Sequence, residues 1–158
     1  AGRVAAAVHE RGALLVRPTI AEYPFVTSIT TRWSDNDIYG HINNVTYYSY
    51  FDSAANLYLI TSGLDIANGD TIGLVVESSC AYHKPLAYPT PLRAGVRVDK
   101  LGNRAVTYGI AIFDDDDLAA AHGSFVHVFV DRQTRRAVPI PPPLRTALER
   151  LQSPGARS

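Results

Sequence analysis

From Phe25 onward the chain is written in alternating residues. Phe25, Thr27, Ile29, Thr31 and Trp33 fall on one side of an extended segment, which predicts a first strand over residues 25–33. The period then changes. Tyr47, Tyr50, Phe51, Ala54, Leu57 and Tyr58 recur at spacings of three and four, which predicts an amphipathic helix that begins between Asn43 and Thr46 and stops at Gly63. Beyond Asp70 the two-residue period returns. Ile72, Leu74, Val76, Ser78, Cys80 and Tyr82 share one face of a long strand that ends at Lys84-Pro85. Leu92, Ala94, Val96 and Val98 mark a second strand with one dry and one wet face. After the hairpin signal Gly102-Asn103, Val106, Tyr108, Ile110 and Ile112 mark a third, and Leu118 to Val130 a last. Behind the block from Pro139 to Pro143, Leu144, Leu148 and Leu151 predict a short terminal helix. It either covers part of the sheet or lies near a ligand's phosphates.

One strand, one long helix and four strands joined by short turns cannot make a doubly wound parallel sheet, because the crossover helices are missing. The expected class is α+β, with an antiparallel sheet wrapped around one long central helix. Residues 1–22 are expected to be a partly disordered lead-in, 23–132 the domain, and 133–158 a Pro-rich tail with a short helix. The 158 residues suit one ordinary domain. Fifteen basic and fifteen acidic residues balance, so nothing global favours nucleic acid or an anionic membrane as a partner. Cys80, the only cysteine, excludes an intrachain disulfide and a cysteine cluster for metal, and reads as a small buried hydrophobe. With no run of eighteen apolar residues and no charged-then-apolar leader, a soluble cytoplasmic protein is expected.

Candidate chemistry lies between the first strand and the helix. Asp35, Asn36, Asp37, Gly40, Asn43 and Asn44 are turn and capping residues, so the chain here is neither strand nor helix. The first N–H groups of the helix that follows have no internal partner and attract anions and developing oxyanions. A turn at Gly40 can fold Asp37 back toward those donors, and an acid facing an oxyanion site is what acyl transfer requires. Asn43 and Asn44 also serve as plain helix caps. A calcium loop is disfavoured, because Tyr39 and Thr46 stand where its fifth and twelfth ligands belong. The sequon Asn44-Val45-Thr46 is read as chance, Asp114 to Asp117 as a solvated hairpin tip rather than a metal site, and His127 as a paired sheet histidine. Tyr47, Tyr50 and Tyr58 belong to the core side of the helix, with Tyr47 close enough to the turn to meet a substrate.

The string from Arg32 to Ala54, with Asp35-Asn36-Asp37, Gly40-His41, Asn43-Asn44, Tyr47 and Phe51-Asp52, resembles the signature of the hotdog-fold acyl-CoA thioesterases, the 4-hydroxybenzoyl-CoA thioesterase-like group. The resemblance covers roughly Phe25 to Arg132. It implies a hotdog fold, an acyl-CoA substrate, no cofactor, no metal, and a homo-oligomer, dimer or dimer of dimers, with sites between subunits. It further implies that Asp37 is general base or nucleophile and that the Asn44 backbone N–H polarises the thioester carbonyl. Plant acyl-carrier-protein thioesterases, more distant relatives, share the aspartate and a histidine matching His41 but carry asparagine where this chain has Tyr39. That leaves the role of His41 open. Asn43 and Tyr47 are expected substrate contacts, and Lys84 and Arg104 sit near strand ends where the family often places contacts to CoA phosphates. The same fold also serves acyl-thioester hydratases and dehydratases, and a non-catalytic acyl-CoA-binding protein is the remaining alternative.

Overall fold

The alternating segments close into one antiparallel sheet. In the computed structural model, which describes residues 16–152, the strands are β1 (Phe25–Ile29), β2 (Thr71–Tyr82), β3 (Leu92–Leu101), β4 (Ala105–Phe113) and β5 (Ala121–Asp131). They stand in the order β1-β3-β4-β5-β2, each neighbouring pair antiparallel, so β1 and β2 are the edges. Helix α1 (Thr46–Thr61) packs against β1, β2, β3 and β4. Its small Ala54 and Ala55 are buried with Phe51 and Leu59 against Val96 and Val98 of β3 and Tyr108 and Ile110 of β4. This is the helix wrapped by a sheet that the alternation predicts.

The helix ends as its sequence demands. Gly63 adopts φ +107°, its N–H donates to the Ile60 carbonyl and the Leu64 N–H to that of Leu59, a Schellman closure that buries Leu64. Its apolar stripe differs from the expected one at a single point. Leu57 is exposed and Tyr58 half-buried, while Leu59 is buried. At about 100° per residue, Leu57 lies some 120° away from Phe51 around the axis, whereas Leu59 returns to the stripe.

β1 and β2 depart from the expected alternation, and β3 carries a further register slip between Val98 and Lys100. β1 stops at Ile29, and Trp33 lies in a 3₁₀ turn (Trp33–Asp35) with its ring exposed rather than on the strand face. The Asp35 carboxylate accepts the Arg32 N–H at 2.9 Å, which bends the chain before another ladder pair can form. In β2 the register slips between Val75 and Glu77, leaving Val76 as a bulge. Gly73 and Val75, opposite Phe129 and His127, therefore share a face with Ser78, Cys80 and Tyr82, and Ile72 and Leu74 belong to the other face.

Both ends of the described chain pack on the sheet. Of the lead-in, residues 1–15 lie outside the described residues. Arg17 to Tyr23 run across the outer face, where the Ala119 N–H donates to the Pro18 carbonyl and the Tyr23 ring covers Gly95 and meets Phe113 at 5.8 Å. At the other end, α2 (Pro142–Glu149) buries Leu144, Ala147 and Leu148. Leu151 is also buried and accepts the Val98 N–H at 2.9 Å, so the tail covers part of the sheet. Asp114 also differs from its expected place in a solvated tip. It is buried, and its carboxylate meets the Lys84 ammonium at 2.5 Å.

Candidate active site

The turn between β1 and α1 is closed by its own backbone. The Asp37 N–H donates to the His41 carbonyl at 2.9 Å and the Gly40 N–H to that of Asp37 at 3.1 Å, with Gly40 at φ +81° making the reversal. Ile42 then donates to Leu86 at 2.8 Å and Asn43 to the Asp35 carbonyl at 2.9 Å, which delivers the chain into α1. Asn43 closes the turn that leads into α1: its Oδ1 accepts the Val45 N–H at 3.2 Å and its carbonyl the Thr46 N–H at 2.9 Å. The Asn44 N–H between them has no acceptor among the described residues. The carbonyl of Asn44 is held by the Tyr82 hydroxyl at 2.9 Å, so the end of β2 fixes this peptide.

A cleft of about 300 Å³ opens beside that peptide, lined by His41, Ile42, Asn44, Tyr47, Tyr82 and His83, with Lys84 and Pro85 at its margin. The structure thus brings together His41, Asn44, Tyr47 and Lys84 from the sequence-predicted set, with Asn43 in the adjoining turn. Asp37 is half-buried four residues before His41 in the same turn and is not part of the lining of the cleft in a single chain. Its Oδ1 accepts the Tyr39 N–H at 2.8 Å, and its Oδ2 has no partner among the described residues. Arg104 is not brought to the cleft. It is exposed in the β3–β4 hairpin, with its carbonyl accepting the Phe129 N–H, a full strand away from the Lys84–Asp114 pair. For the nine residues of β4 that distance is on the order of 30 Å. Lys84 reaches the cleft, but its ammonium rests on Asp114. A larger hollow of about 690 Å³ lies beyond Asp114, between the end of β1 and the segment 88–93 that leads into β3. There the Arg93 guanidinium is already bonded to the Asp114 and Asp116 carbonyls.

Sequence reasoning left several residues around the turn and cleft unassigned. Asp35, treated as a turn former, is the most enclosed acid of the turn, 1 % exposed, with the Tyr50 hydroxyl on its Oδ2 at 2.6 Å. Burial pushes its carboxyl up, but Tyr50, the Arg32 N–H and the Arg32 guanidinium more than offset this and hold it below the ordinary carboxylate range. From sequence Tyr82 reads only as a strand residue, and His83 as a strand-end histidine more often structural than functional; its pairing with His122, Nε2 and Nδ1 2.8 Å apart, is not visible in the sequence. Burial lowers the pKa of both histidines of the pair, which favours their neutral forms. Burial pushes the Tyr47 hydroxyl up to about 12 and the Cys80 thiol to about 11, which leaves Cys80 an inert, half-buried thiol. Among the described residues no three His, Cys, Asp or Glu side chains cluster as metal ligands, and no helix is long and apolar enough to cross a membrane.

An antiparallel sheet wrapped around one central helix is the hotdog fold. Residues 31–148 match the Thioesterase-like superfamily, and the chain belongs to that family. The PA5185 protein of Pseudomonas aeruginosa strain PAO1 is 53 % identical and superposes with a TM-score of 0.86, over 88 % of this chain and 99 % of that one. The Bacillus subtilis (strain 168) protein YsmA is 25 % identical over 116 residues, 73 % of this chain and 79 % of its own. A 1,4-dihydroxy-2-naphthoyl-CoA thioesterase from Synechocystis shares the fold at a TM-score of 0.71 and 19 % identity, over 78 % of this chain and 94 % of that one. The class of chemistry that goes with the family is thioester hydrolysis.

Proposed function

We propose that the protein hydrolyses an acyl-CoA thioester to a free acid and CoA. The observation that carries this reading is the unpartnered Asn44 N–H at the mouth of the cleft, in the same closed turn as an aspartate with one free oxygen. The thioester carbonyl oxygen accepts the Asn44 N–H, and the positive end of α1 stabilises the charge that grows there. Asp37 takes a proton from water as the water oxygen bonds to the carbonyl carbon, and collapse of the adduct breaks the C–S bond and releases the thiolate. In the alternative course, Asp37 bonds to the carbon itself and the resulting anhydride is hydrolysed. Tyr47 and Asn43 bound the acyl side.

The site is completed by a second copy of the chain. β2 is a twelve-residue edge with Val75 and Val76 exposed along it, a surface that invites pairing with a second β2. Such pairing would wall the open side of the cleft, in a cytoplasmic dimer or dimer of dimers. The place of His41 in the cleft favours a second reading, hydration of an enoyl thioester, in which His41 would handle the proton.

Thiol release measured across a panel of acyl-CoAs tests the first reading. Asp37→Ala should fold normally and lose about 10²- to 10⁴-fold in turnover. Equal turnover by Asp37→Ala and the parent on every accepted substrate would refute it, and loss of the enoyl absorbance without thiol release would favour the second.

A further inference from the structure

We infer that Asp35 and Tyr50 form a positioning pair that fixes Asp37 and the Asn44 N–H relative to each other. The inference rests on the thioesterase reading for its catalytic consequence, though not for its geometry.

The Asp35 carboxylate is 1 % exposed and meets four donor groups. Oδ2 accepts the Arg32 N–H at 2.9 Å and the Tyr50 hydroxyl at 2.6 Å, and Oδ1 accepts Arg32 Nε at 3.1 Å with Nη2 at 3.0 Å. Its backbone carbonyl accepts the Asn43 N–H at 2.9 Å. One residue thus ties together the end of the β1 segment, the body of α1 and the last residue before Asn44. Asp37 lies two residues after that anchor and Asn44 one residue after the other end of the tie. Tyr50 is itself buried, with its ring against Tyr47 at 6.1 Å, so its hydroxyl has little freedom to follow a drifting loop.

Enclosing a carboxylate is costly unless each lone pair is met, and an apolar side chain would serve stability as well or better. What the charged cluster supplies in addition is direction, since hydrogen bonds fix angles that apolar contacts leave loose. A displacement of about 1 Å between reacting groups can cost roughly 10²-fold in rate. Neither Asp35 nor Tyr50 lines the cleft, so the pair acts through its neighbours and not on the substrate.

Tyr50→Phe tests this, since it keeps the ring and deletes one hydroxyl. Tyr58→Phe is the matched control, because Tyr58 lies on the same helix and donates to the Ala147 carbonyl at 2.5 Å, away from the turn. Two readouts are taken on each full-length protein: kcat and KM by thiol release, and amide hydrogen exchange across residues 36–45. Tyr50→Phe should lower kcat by roughly fivefold or more with KM little changed, and speed exchange at Asp37 and Asn43. Tyr58→Phe should do neither. A smaller fall in kcat, or a KM effect alone, overturns the positioning role. If the parent releases no thiol from any thioester tried, the thioesterase reading fails instead, and the exchange arm still decides: unchanged exchange in Tyr50→Phe overturns the pair.

Discussion

His127 should make this protein lose stability in mild acid, and the size of the loss follows from its surroundings. The imidazole is 1 % exposed on β5, enclosed by the rings of Tyr108, Phe125 and Phe129 at 5.2, 5.1 and 6.4 Å. Its Nδ1 lies 3.3 Å from the Tyr108 hydroxyl, which can donate to it only while that nitrogen carries no proton. Burial lowers its pKa from 6.5 to about 4. Between those values the unfolded chain binds a proton that the folded chain refuses, so stability is complete above pH 6.5, falls as the pH drops, and has lost its full share near pH 4. At about 1.4 kcal/mol per pH unit, that share is about 3 kcal/mol, a large part of a typical domain's stability.

The assay is urea unfolding at pH 7.5 and pH 4.5, at one protein concentration, on the parent and on His127→Gln. Glutamine does not titrate and can still accept the Tyr108 hydroxyl, so its effect on absolute stability separates from its effect on the pH slope. His83 and His122 are also lowered by burial and act in the same direction, which is why the difference between the two proteins is the quantity to read. The parent should lose about 2.5 kcal/mol more than His127→Gln between the two pH values. Equal losses would refute the reasoning, for they would mean that His127 is protonated as readily in the fold as outside it.

Gly123→Ala should destabilise the protein by about 3 kcal/mol or more, because the added Cβ would fall 1.8 Å from the Ser79 carbonyl oxygen, which is backbone and cannot move without opening the β2–β5 ladder; a thermal melt checks it. Charge reversal in Lys84→Glu should raise KM for acyl-CoA more than for a short thioester lacking the nucleotide if Lys84 meets the phosphates. In Lys84→Met, Asp114 keeps its burial, which raises its pKa, but loses the ammonium that most strongly lowers it. Acid unfolding of that variant should therefore begin at higher pH than in the parent, and unchanged acid unfolding would mean that the pair does not hold Asp114 ionised.

The legible parts of this fold are those in which a local pattern and a local cause coincide. Tyr47, Tyr50, Phe51 and Ala54 show the helix, Gly63 its end, and Leu92 to Val98 a strand with one dry face, because each is decided by neighbours a few residues away. The bulge at Val76 was illegible for a simple reason: Val75 and Val76 are both apolar, so a one-residue slip leaves the composition of each face plausible. Lys84 looked like a free cation because Asp114 is thirty positions away, and Asp114 looked solvated because it stands first in a run of four acids. Within the turn, the spacing Asp35-x-Asp37 and the run His41 to Asn44 marked the right place. Nothing in it says which acid is enclosed, since that depends on a tyrosine fifteen residues on, around the first turns of α1.

The two acids of that turn show how position alone gives one residue type two different environments. With a single residue between them they differ in surroundings. Asp35 is saturated by Arg32 and Tyr50, so both its oxygens are committed and it is ill-suited to receive a proton. Asp37 spends one oxygen on the Tyr39 amide, which orients the carboxylate, and keeps the other without a partner among the described residues. Exchanging these roles would require Asp37 to find buried donors or Asp35 to shed four, and the backbone bonds from Asp37 to His41 and from Asn43 to Asp35 allow neither. On the proposed reading, the order of the motif, anchor first and reactive acid second, follows from the need to secure the strand-side end of the loop before the chain reverses at Gly40 toward the Asn44 amide.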